Sequence, residues 1–378
     1  MCAAKKKPSD AEAELEAGAI AAEELAAQFP ELDLPIRPPF PPMEAKSVEE
    51  IPTGNWVYEP KWDGFRCLAF RDGDTVAMQS KAGQPLARYF PEMVEALLKL
   101  PVQKFVLDGE IVIERDGHLS FDDLLMRIHP AESRIRKLSR ETPSTYLVFD
   151  YLVAQDGQSL LEVPLARRRV LLEEFFRKLG KRSSIRVSPS TGNREKAVAW
   201  MTELAAAGFD GVIAKLADAP YASGDRTAMR KIKRMRTADC VVGGFRYATK
   251  GDQVGSLLLG LYDDDGLLHH VGFSSSFRAD QRDKLKQLLK PYMGGSGFTG
   301  RAPGGPSRWS TERSGEWERL DPKLVCEVQY DHFSGGRFRH GTKFLHWRPE
   351  KLPEQCTFEQ VHPAKSDQGP LDYLLRTA

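Results

Sequence analysis

The chain has 378 residues, of which 41% are hydrophobic and 28% charged, and its formal net charge at pH 7 is +1. This length and composition predict an ordinary globular protein of two domains, with no apolar run near the roughly 20 residues of a membrane-spanning helix. Because the net charge is close to zero, any surface that binds nucleic acid must be a local patch.

Cysteine usage and the N-terminus indicate the compartment. The 5 cysteines include no CxxC pair, so we expect neither a disulfide framework nor a thiolate zinc site, which fits a reducing environment. Three lysines, Lys5 to Lys7, lie near the N-terminus, but the apolar core of a secretion signal does not follow them. We therefore expect a cytoplasmic protein without a membrane partner.

The first part of the chain, residues 1–41, is expected to be a tail without a catalytic role. Residues 9–27 are rich in alanine and glutamate and predict a helix, and residues 35–42 are rich in proline and predict an extended connector. The folded body is expected to begin near Pro42.

A lysine between two predicted strands is the first candidate for chemistry. Strands are predicted at 55–59 and 65–70, and Asp63-Gly64 between them is a hairpin-type turn signal. Lys61 lies just before this turn. To act as a nucleophile it must lose a proton, so its pKa must fall from about 10.4 through burial, a bound cation or neighbouring lysines. The alternative is a solvated charge at a strand edge.

Strands and helices alternate through the next 150 residues. Helical patterns occur at 89–100, 167–179 and 195–207, and strand patterns at 105–107, 111–113, 146–153 and 211–215, with a second turn predicted at Asp108-Gly109. The mixture predicts an α+β fold in which antiparallel sheets pack with helices outside.

Two acidic residues lie beside these predicted strands. Glu110 follows the turn at Asp108-Gly109, and Asp210 precedes the strand at 211–215. Two carboxylates on different strands could hold Mg²⁺ or Mn²⁺ through oxygen, together with several waters. Each could instead be an acid that caps a turn.

Phosphate and base contacts have candidates of their own. Lys231 and Lys233 alternate, which places both amines on one face of a strand, where they could bind phosphate or face solvent. Phe149 lies in an apolar strand and could stack on a base or pack in the core.

Residues 237–355 show a different sequence pattern, in which predicted short strands are separated by glycine-containing turns. This pattern follows a basic run at 226–236 and predicts a small all-β barrel. We place the domain boundary near Thr237, which gives domains at 42–236 and 237–355 and a C-terminal tail at 356–378. Residues 294–314 are predicted to be a loop.

These candidates occur in the order of the motifs of one enzyme superfamily. The pattern KxDGxR, from Lys61 to Arg66, resembles the nucleotide-attachment motif of the covalent nucleotidyltransferases, which are ATP-dependent DNA ligases, RNA ligases and capping enzymes. The further matching residues are Glu110, Phe149, Asp210, Lys231, Lys233, Arg348 and Lys351. The chain looks most like the small bacterial repair ligases of the C and D types.

The resemblance implies a role for each residue. Lys61 would carry AMP, Arg66 would lie near the ribose and the nick, Phe149 would stack on the purine, and Glu110 and Asp210 would lie near the metal. The remaining residues of the implied ATP or AMP site are Glu59, Lys81, Lys231, Lys233, Arg348 and Lys351. Three positions depart from the common pattern: Lys81 stands where many ligases have arginine, Asp210 where glutamate is common, and Glu350 where most members have aspartate.

The resemblance also implies the overall reaction. We expect an ATP-dependent DNA ligase, with an adenylation domain and an OB-fold barrel, that seals nicked duplex DNA through lysyl-AMP and DNA-adenylate. Alternatives are a capping-type guanylyltransferase, an RNA-strand ligase, or a nucleic-acid-binding barrel attached to an inactive relic. We expect a nucleoid-associated monomer, and a repair polymerase or an end-binding protein as partner, because the N-terminal DNA-binding domain of larger ligases is missing.

Overall fold

The computed structural model describes residues 23–177, 184–203, 210–248, 251–277, 279–304 and 316–362. Two compact units follow one another along the chain and divide between Lys233 and Arg234. No helix within the described ranges is long and apolar enough to cross a membrane.

The first unit is built on two sheets and a short hairpin. Its strands are β1 (Lys46–Ser47), β2 (Trp56–Pro60), β3 (Phe65–Asp72), β4 (Thr75–Ser80), β5 (Lys104–Val112), β6 (Glu114–Arg115), β7 (His118–Leu119), β8 (Thr145–Val153), β9 (Ile185–Val187), β10 (Gly211–Leu216) and β11 (Met229–Lys233). One sheet has the order β4-β3-β5-β8-β9, the other the order β1-β11-β10-β2, and β6 pairs with β7. Pairing is antiparallel except between β1 and β11 and between β8 and β9.

Five α-helices accompany these sheets in the described part of the first unit, and residues 23–26 are also helical. The five are α1 (Pro91–Leu98), α2 (Phe121–Arg127), α3 (Glu132–Glu141), α4 (Leu165–Arg177) and α5 (Arg194–Glu203). Pro91 occupies the start of α1, where its missing N–H costs no hydrogen bond. Most of the helix predicted at 9–27 and the end of the one predicted at 195–207 lie outside the described residues.

The two sheets of the first unit share a core. Val112 and Leu147 from the five-stranded sheet pack with Val212 and Ile232 from the four-stranded sheet. Because each sheet buries one face against the other, a residue on the connection between them is held from both sides. The connection from β2 to β3 is such a segment, and it contains Lys61.

The segment before Pro42 belongs to the packed core, which differs from the predicted free tail. Leu32, Leu34 and Ile36 are 3–4% exposed and pack in a cluster with Leu68 and Phe70 of β3. Buried and exposed residues alternate from residue 31 to residue 38, as expected for an extended chain with one face on the protein. The packed part of this unit therefore begins before Pro42.

The two turns predicted at Asp63-Gly64 and Asp108-Gly109 do not form as hairpin turns, so both predictions are wrong. Strands β2 and β3 belong to different sheets, so Asp63-Gly64 connects two sheets and does not close a hairpin. Asp108-Gly109 lies inside β5, where the ladder with β8 shifts register. Glycine serves close approach at both places, because a Cβ would lie 2.2 Å from the Ile111 carbonyl oxygen at Gly64 and 2.6 Å from the Leu147 carbonyl oxygen at Gly109.

The second unit has a six-stranded sheet, a two-stranded sheet and one α-helix among its described elements. The elements are β12 (Arg236–Tyr247), β13 (Val254–Tyr262), β14 (Leu268–Ser274), α6 (Ala279–Leu289), β15 (Glu318–Arg319), β16 (Val325–Tyr330), β17 (Phe333–Ser334), β18 (Arg337–Phe338) and β19 (Lys343–Trp347). The strand order is β14-β13-β12-β16-β19, β15 pairs with β12, and β17 pairs with β18.

The ladders of the second unit do not form a closed barrel, but one bridge links the two edges. Ser274 at the end of β14 forms an isolated parallel bridge with Thr342 next to β19. The core of this unit is continuous and includes Val241, Leu258, Val271 and Val328. The predicted α+β class, with a β-rich second part, is thus what the chain forms.

The close approach at Gly64 gives a test of the packing. Replacing Gly64 with alanine should lower the thermal midpoint by on the order of 5 °C, since a Cβ would force the chain away from β5. Gly192→Ala is the control, because its added Cβ meets no atom within 4 Å. Equal midpoints for the two variants, measured by circular dichroism, would contradict the packing described for Gly64.

Candidate active site

A cavity of about 250 Å³ lies in the first unit and gathers most of the predicted site residues. Those that line it are Glu59, Lys61, Arg66, Lys81, Glu110, Phe149 and Lys231. The other polar residues on its wall are Glu44, Trp62 and Lys215. Residues as far apart in the sequence as Glu44 and Lys231 are therefore brought together around one volume suited to a small ligand.

The backbone of Lys61 is fixed from the opposite sheet. Its N–H donates to the carbonyl oxygen of Gly211 on β10 at 2.8 Å. Gly211 has a φ of +143°, and a Cβ there would lie 2.1 Å from the carbonyl oxygen of Ile232. Trp62, 6% exposed, donates from its indole nitrogen to the Ser188 hydroxyl at 2.8 Å. Lys61 thus lies on a rigid connection.

The amine of Lys61 is paired with a carboxylate. Its Nζ donates to an Oδ of Asp210, which is 7% exposed. Burial alone lowers the pKa of Lys61, but Asp210, followed by Asp63 and Glu110, outweighs burial, so the pKa is raised. The prediction that its surroundings lower the pKa of Lys61 is wrong, because the carboxylates around the amine favour its charged form.

Glu110 is half-buried on β5 and responds to the same group of charges. Burial raises its pKa to about 8, and the nearby Asp63 and Asp108 add to that effect, while Arg66 and Lys61 oppose it. The described residues contain no group of three or more histidine, cysteine or acidic side chains placed to hold a metal. Glu110 and Asp210 nevertheless supply carboxylate oxygens, which are the donors that Mg²⁺ prefers.

Arg66 is held by a buried network. Its Nε and Nη2 donate to the two carboxylate oxygens of Asp108 at 2.9 and 2.6 Å. Asp108 is fully buried and also accepts from the Tyr221 hydroxyl at 2.6 Å. This two-pronged contact fixes the guanidinium plane, which lies over the Phe149 ring with Cζ 5.2 Å from the centroid. Asp108 was predicted only as a turn residue.

Lys215 is a cavity residue that the sequence argument did not select. Its Nζ lies 4.2 Å from the centroid of the Phe149 ring and 2.8 Å from Oε2 of Glu59. Lys215 and Glu59 are each 2% exposed, so the charges face each other away from solvent. The available signal was a lysine at the end of the buried run Gly-Val-Ile-Ala-Lys on β10.

The three cationic candidates near the cavity are not equivalent. Lys231 on β11 lines the cavity, and burial, followed by the charges of Lys233 and Lys81, lowers its pKa. Lys233 lies two residues further along β11 and is not part of the cavity wall. Lys81 is 57% exposed, and its Nζ is 3.8 Å from Oε2 of Glu44.

Arg348 and Lys351 belong to the second unit, where both contact one acid. Asp239 on β12 accepts from Arg348 Nη1 at 3.0 Å and from Lys351 Nζ at 2.5 Å. Arg348 also donates from Nε to Oε1 of Glu350 at 2.5 Å. Gln360 fixes Asp239 by accepting from its backbone N–H at 3.0 Å. Asp239, like Lys215 and Asp108, was not predicted as a site residue from the sequence.

The raised pKa of Glu110 predicts a pH-dependent effect on stability. The ionised carboxylate is disfavoured in the folded state, so its cost grows as pH rises from about 4.5 to about 8. Glu110→Gln should therefore raise the thermal midpoint of the ligand-free protein, by more at pH 8 than at pH 5.

The exposed Glu95, whose side chain is 71% accessible, provides the control Glu95→Gln, which should show no such trend. A midpoint difference for Glu110→Gln that stays constant from pH 5 to pH 8 would contradict the electrostatic account.

Comparisons with known proteins place the chain in one family. Residues 42–233 match the family model described as ATP dependent DNA ligase domain, and residues 250–351 match the ATP dependent DNA ligase C terminal region. DNA ligase C1 of Mycolicibacterium smegmatis is 45% identical over 341 residues, which cover 87% of this chain and 96% of that protein.

Two further matches are more distant. The multifunctional non-homologous end joining protein LigD of the same organism is 30% identical over 328 residues, covering 85% of this chain and 40% of LigD. The solved structure Pmar-Lig_PreS3 aligns with a TM-score of 0.53 at 18% identity, covering 78% of this chain and 63% of that one. At this identity, the match to Pmar-Lig_PreS3 shows only that the two folds are similar.

Proposed function

The chain belongs to the family of ATP-dependent DNA ligases, and we propose that Lys61 is the residue to which it attaches AMP. A ligase uses ATP to form lysyl-AMP, passes AMP to the 5′-phosphate of a nick, and joins the strands by attack of the 3′-hydroxyl. The observation that supports Lys61 is its fixed position in a cavity lined by phosphate-binding and base-binding types of side chain. The relatives favour DNA over the capping and relic alternatives.

We propose that the residues around Lys61 bind different parts of ATP. Phe149 offers a ring face to the adenine, Glu59 and Lys215 lie beside that ring, and Arg66 is held in place by Asp108. Lys231, with Lys81 and Lys233 near it, supplies positive charge for the phosphates. Such positioning matters because transfer to phosphorus depends mainly on alignment and charge stabilisation.

Lys61 must lose a proton before it attacks. In the free protein Asp210 holds it in the charged form, so a change in the surrounding charge has to weaken this pair. We propose that Lys61 releases its proton to solvent when a cation binds together with the nucleotide, since a cation beside Asp210 and Glu110 would weaken their attraction for the ammonium group.

Glu110 and Asp210 fit a divalent metal by donor type and by charge. Burial raises the pKa of Glu110 to about 8, so its ionised form is disfavoured, and a cation nearby would favour that form. We propose that these two carboxylates hold Mg²⁺ or Mn²⁺, with water as further ligands. The metal would neutralise negative charge on the phosphates.

The second unit is proposed to supply cations for the leaving phosphates. Arg348 and Lys351 match the last motif of the family and are arranged around Asp239. We propose that the first unit is the adenylation domain and the second unit the OB-fold domain, with Arg348 and Lys351 orienting the β- and γ-phosphates during attachment of AMP. Their role would then be confined to the first step. The bounds expected from the sequence change, because the first unit begins before Pro42 and because Cys356 and Val361, expected in a C-terminal tail, are buried in the core of the second unit.

We also propose that the substrate is nicked duplex DNA met during repair in the cytoplasm. The similarity to LigD, a protein named for end joining, supports an end-binding protein or a repair polymerase as partner.

Two nicked substrates, one ordinary and one already adenylated, separate attachment of AMP to the enzyme from the sealing of the nick. Arg348→Ala should slow sealing of an ordinary nick with ATP by at least about tenfold, because loss of a charge-assisted contact to phosphate weakens the first step. The same variant should seal a pre-adenylated nick at close to the wild-type rate. Lys61→Ala should fail on the ordinary nick and retain sealing of the pre-adenylated one.

Lys99→Ala, which changes a lysine with a 78% exposed side chain on the surface, is the matched control and should behave as wild type. Equal loss on both substrates for Arg348→Ala would exclude a role confined to the first step, and normal sealing by Lys61→Ala would exclude Lys61 as the attachment site.

A further inference from the structure

A buried polar cluster lies in the second unit, outside the residues assigned to ATP. His270 on β14 is 7% exposed, and neither of its ring nitrogens has a hydrogen-bond partner of normal geometry among the described residues. The Nε of Arg301 is also buried without a partner there. Because buried polar atoms are nearly always paired, the unmatched N–H of Arg301 Nε and the one N–H of a neutral His270 ring indicate a site that takes its acceptor from a ligand.

The cluster is positively charged. Arg301 donates from Nη2 to the carbonyl oxygens of His270, at 3.3 Å, and of Gly336, and Arg337 directly follows Gly336. Within the described ranges neither Arg301 nor Arg337 has a carboxylate at ion-pair distance. Burial, then Arg337, Arg246 and Arg301, lowers the pKa of His270 to about 3, while the Gly272 backbone has the smallest, opposite effect. The imidazole is therefore neutral at pH 7.

The backbone holds these side chains in place. The N–H of His270 donates to the carbonyl oxygen of Arg301 at 2.7 Å, and the N–H of Arg301 donates to Nδ1 of His269 at 3.0 Å. The His270 ring packs edge-on against Phe298, with 5.3 Å between centroids. Gly336 has a φ of +70°, and a Cβ there would lie 3.1 Å from Arg301 Nη2. This is a built cluster and not a set of loose surface charges.

We propose that His270, Arg301 and Arg337 form a binding site for one phosphate group, and that in this ligase the group is a phosphodiester of the DNA backbone. A guanidinium presents N–H donors that match phosphate oxygens, and a neutral imidazole adds one more N–H. With a net charge of only +1, the chain must obtain its affinity for DNA from local clusters of this kind. The free phosphates of ATP or pyrophosphate share this chemistry and are the other source.

The test measures binding of the full chain to a nicked duplex by fluorescence anisotropy, without ATP, over a series of salt concentrations. His270→Phe and Arg301→Gln should each weaken binding about tenfold, as expected for loss of a hydrogen bond to a charged group. Arg301→Gln should also reduce the slope of log Kd against log salt by about 0.9, the value for one phosphate contact. Lys323→Gln removes one charge from a surface ion pair in the same unit and should change Kd less than about twofold.

His270→Phe has a second expected signature. It keeps an aromatic ring against Phe298 and removes two unpaired buried nitrogens, so the thermal midpoint should rise while DNA binding weakens. A purely structural histidine would not link these opposite changes. If both variants bind the nicked duplex as wild type does, with an unchanged salt slope, the DNA site is excluded. A raised KM for ATP in self-adenylation, with DNA binding unchanged, would instead assign the site to nucleotide phosphates.

Discussion

The ion pair between Lys61 and Asp210 is the interaction on which the candidate active site depends. It joins the connection after β2 to the residue before β10, so it ties the reactive amine to the sheet that also carries Lys231. It also sets the protonation state, because Asp210, Asp63 and Glu110 together raise the pKa of Lys61 although burial lowers it. The free protein therefore holds its proposed nucleophile in an unreactive, charged form. The proposed trigger of reactivity is a cation that binds with the nucleotide beside Asp210 and Glu110.

The same arrangement recurs at other cations of the molecule. Arg66 is matched by Asp108, Lys215 by Glu59, and Arg348 and Lys351 share Asp239. A buried charge without a partner would destabilise the fold, so each of these groups is compensated in the absence of ligand. When a phosphate binds it must compete with these carboxylates, which gives the protein control over when each cation is available. Arg301 and Arg337 differ, because within the described residues they have no such carboxylate.

The sequence was informative where a residue type and its motif position suffice. Seven of the predicted site residues, the first Glu59 and the last Lys231, line one cavity. The α+β class was also predicted correctly. The errors came from Asp-Gly pairs, which signal turns locally but here allow close contact between strands that are far apart in sequence. Lys215, Asp108 and Asp239 were missed because their importance lies in the cations and rings they contact, and such contacts exist only in the fold. The raised pKa of Lys61 was missed for the same reason, because it depends on carboxylates that only the fold brings close to the amine.

The central claim is that, among the lysines of the cavity, Lys61 alone receives AMP. Lys215 and Lys231 line the same cavity, and burial lowers the pKa of Lys231, so proximity or a low pKa alone does not select Lys61. The direct measurement is incubation with ATP and Mg²⁺, followed by digestion and mass spectrometry of the adenylated peptide. The account predicts AMP on Lys61, and its removal when nicked DNA with a 5′-phosphate is added. AMP on Lys215 or Lys231, or a stable adduct that nicked DNA does not discharge, would contradict it.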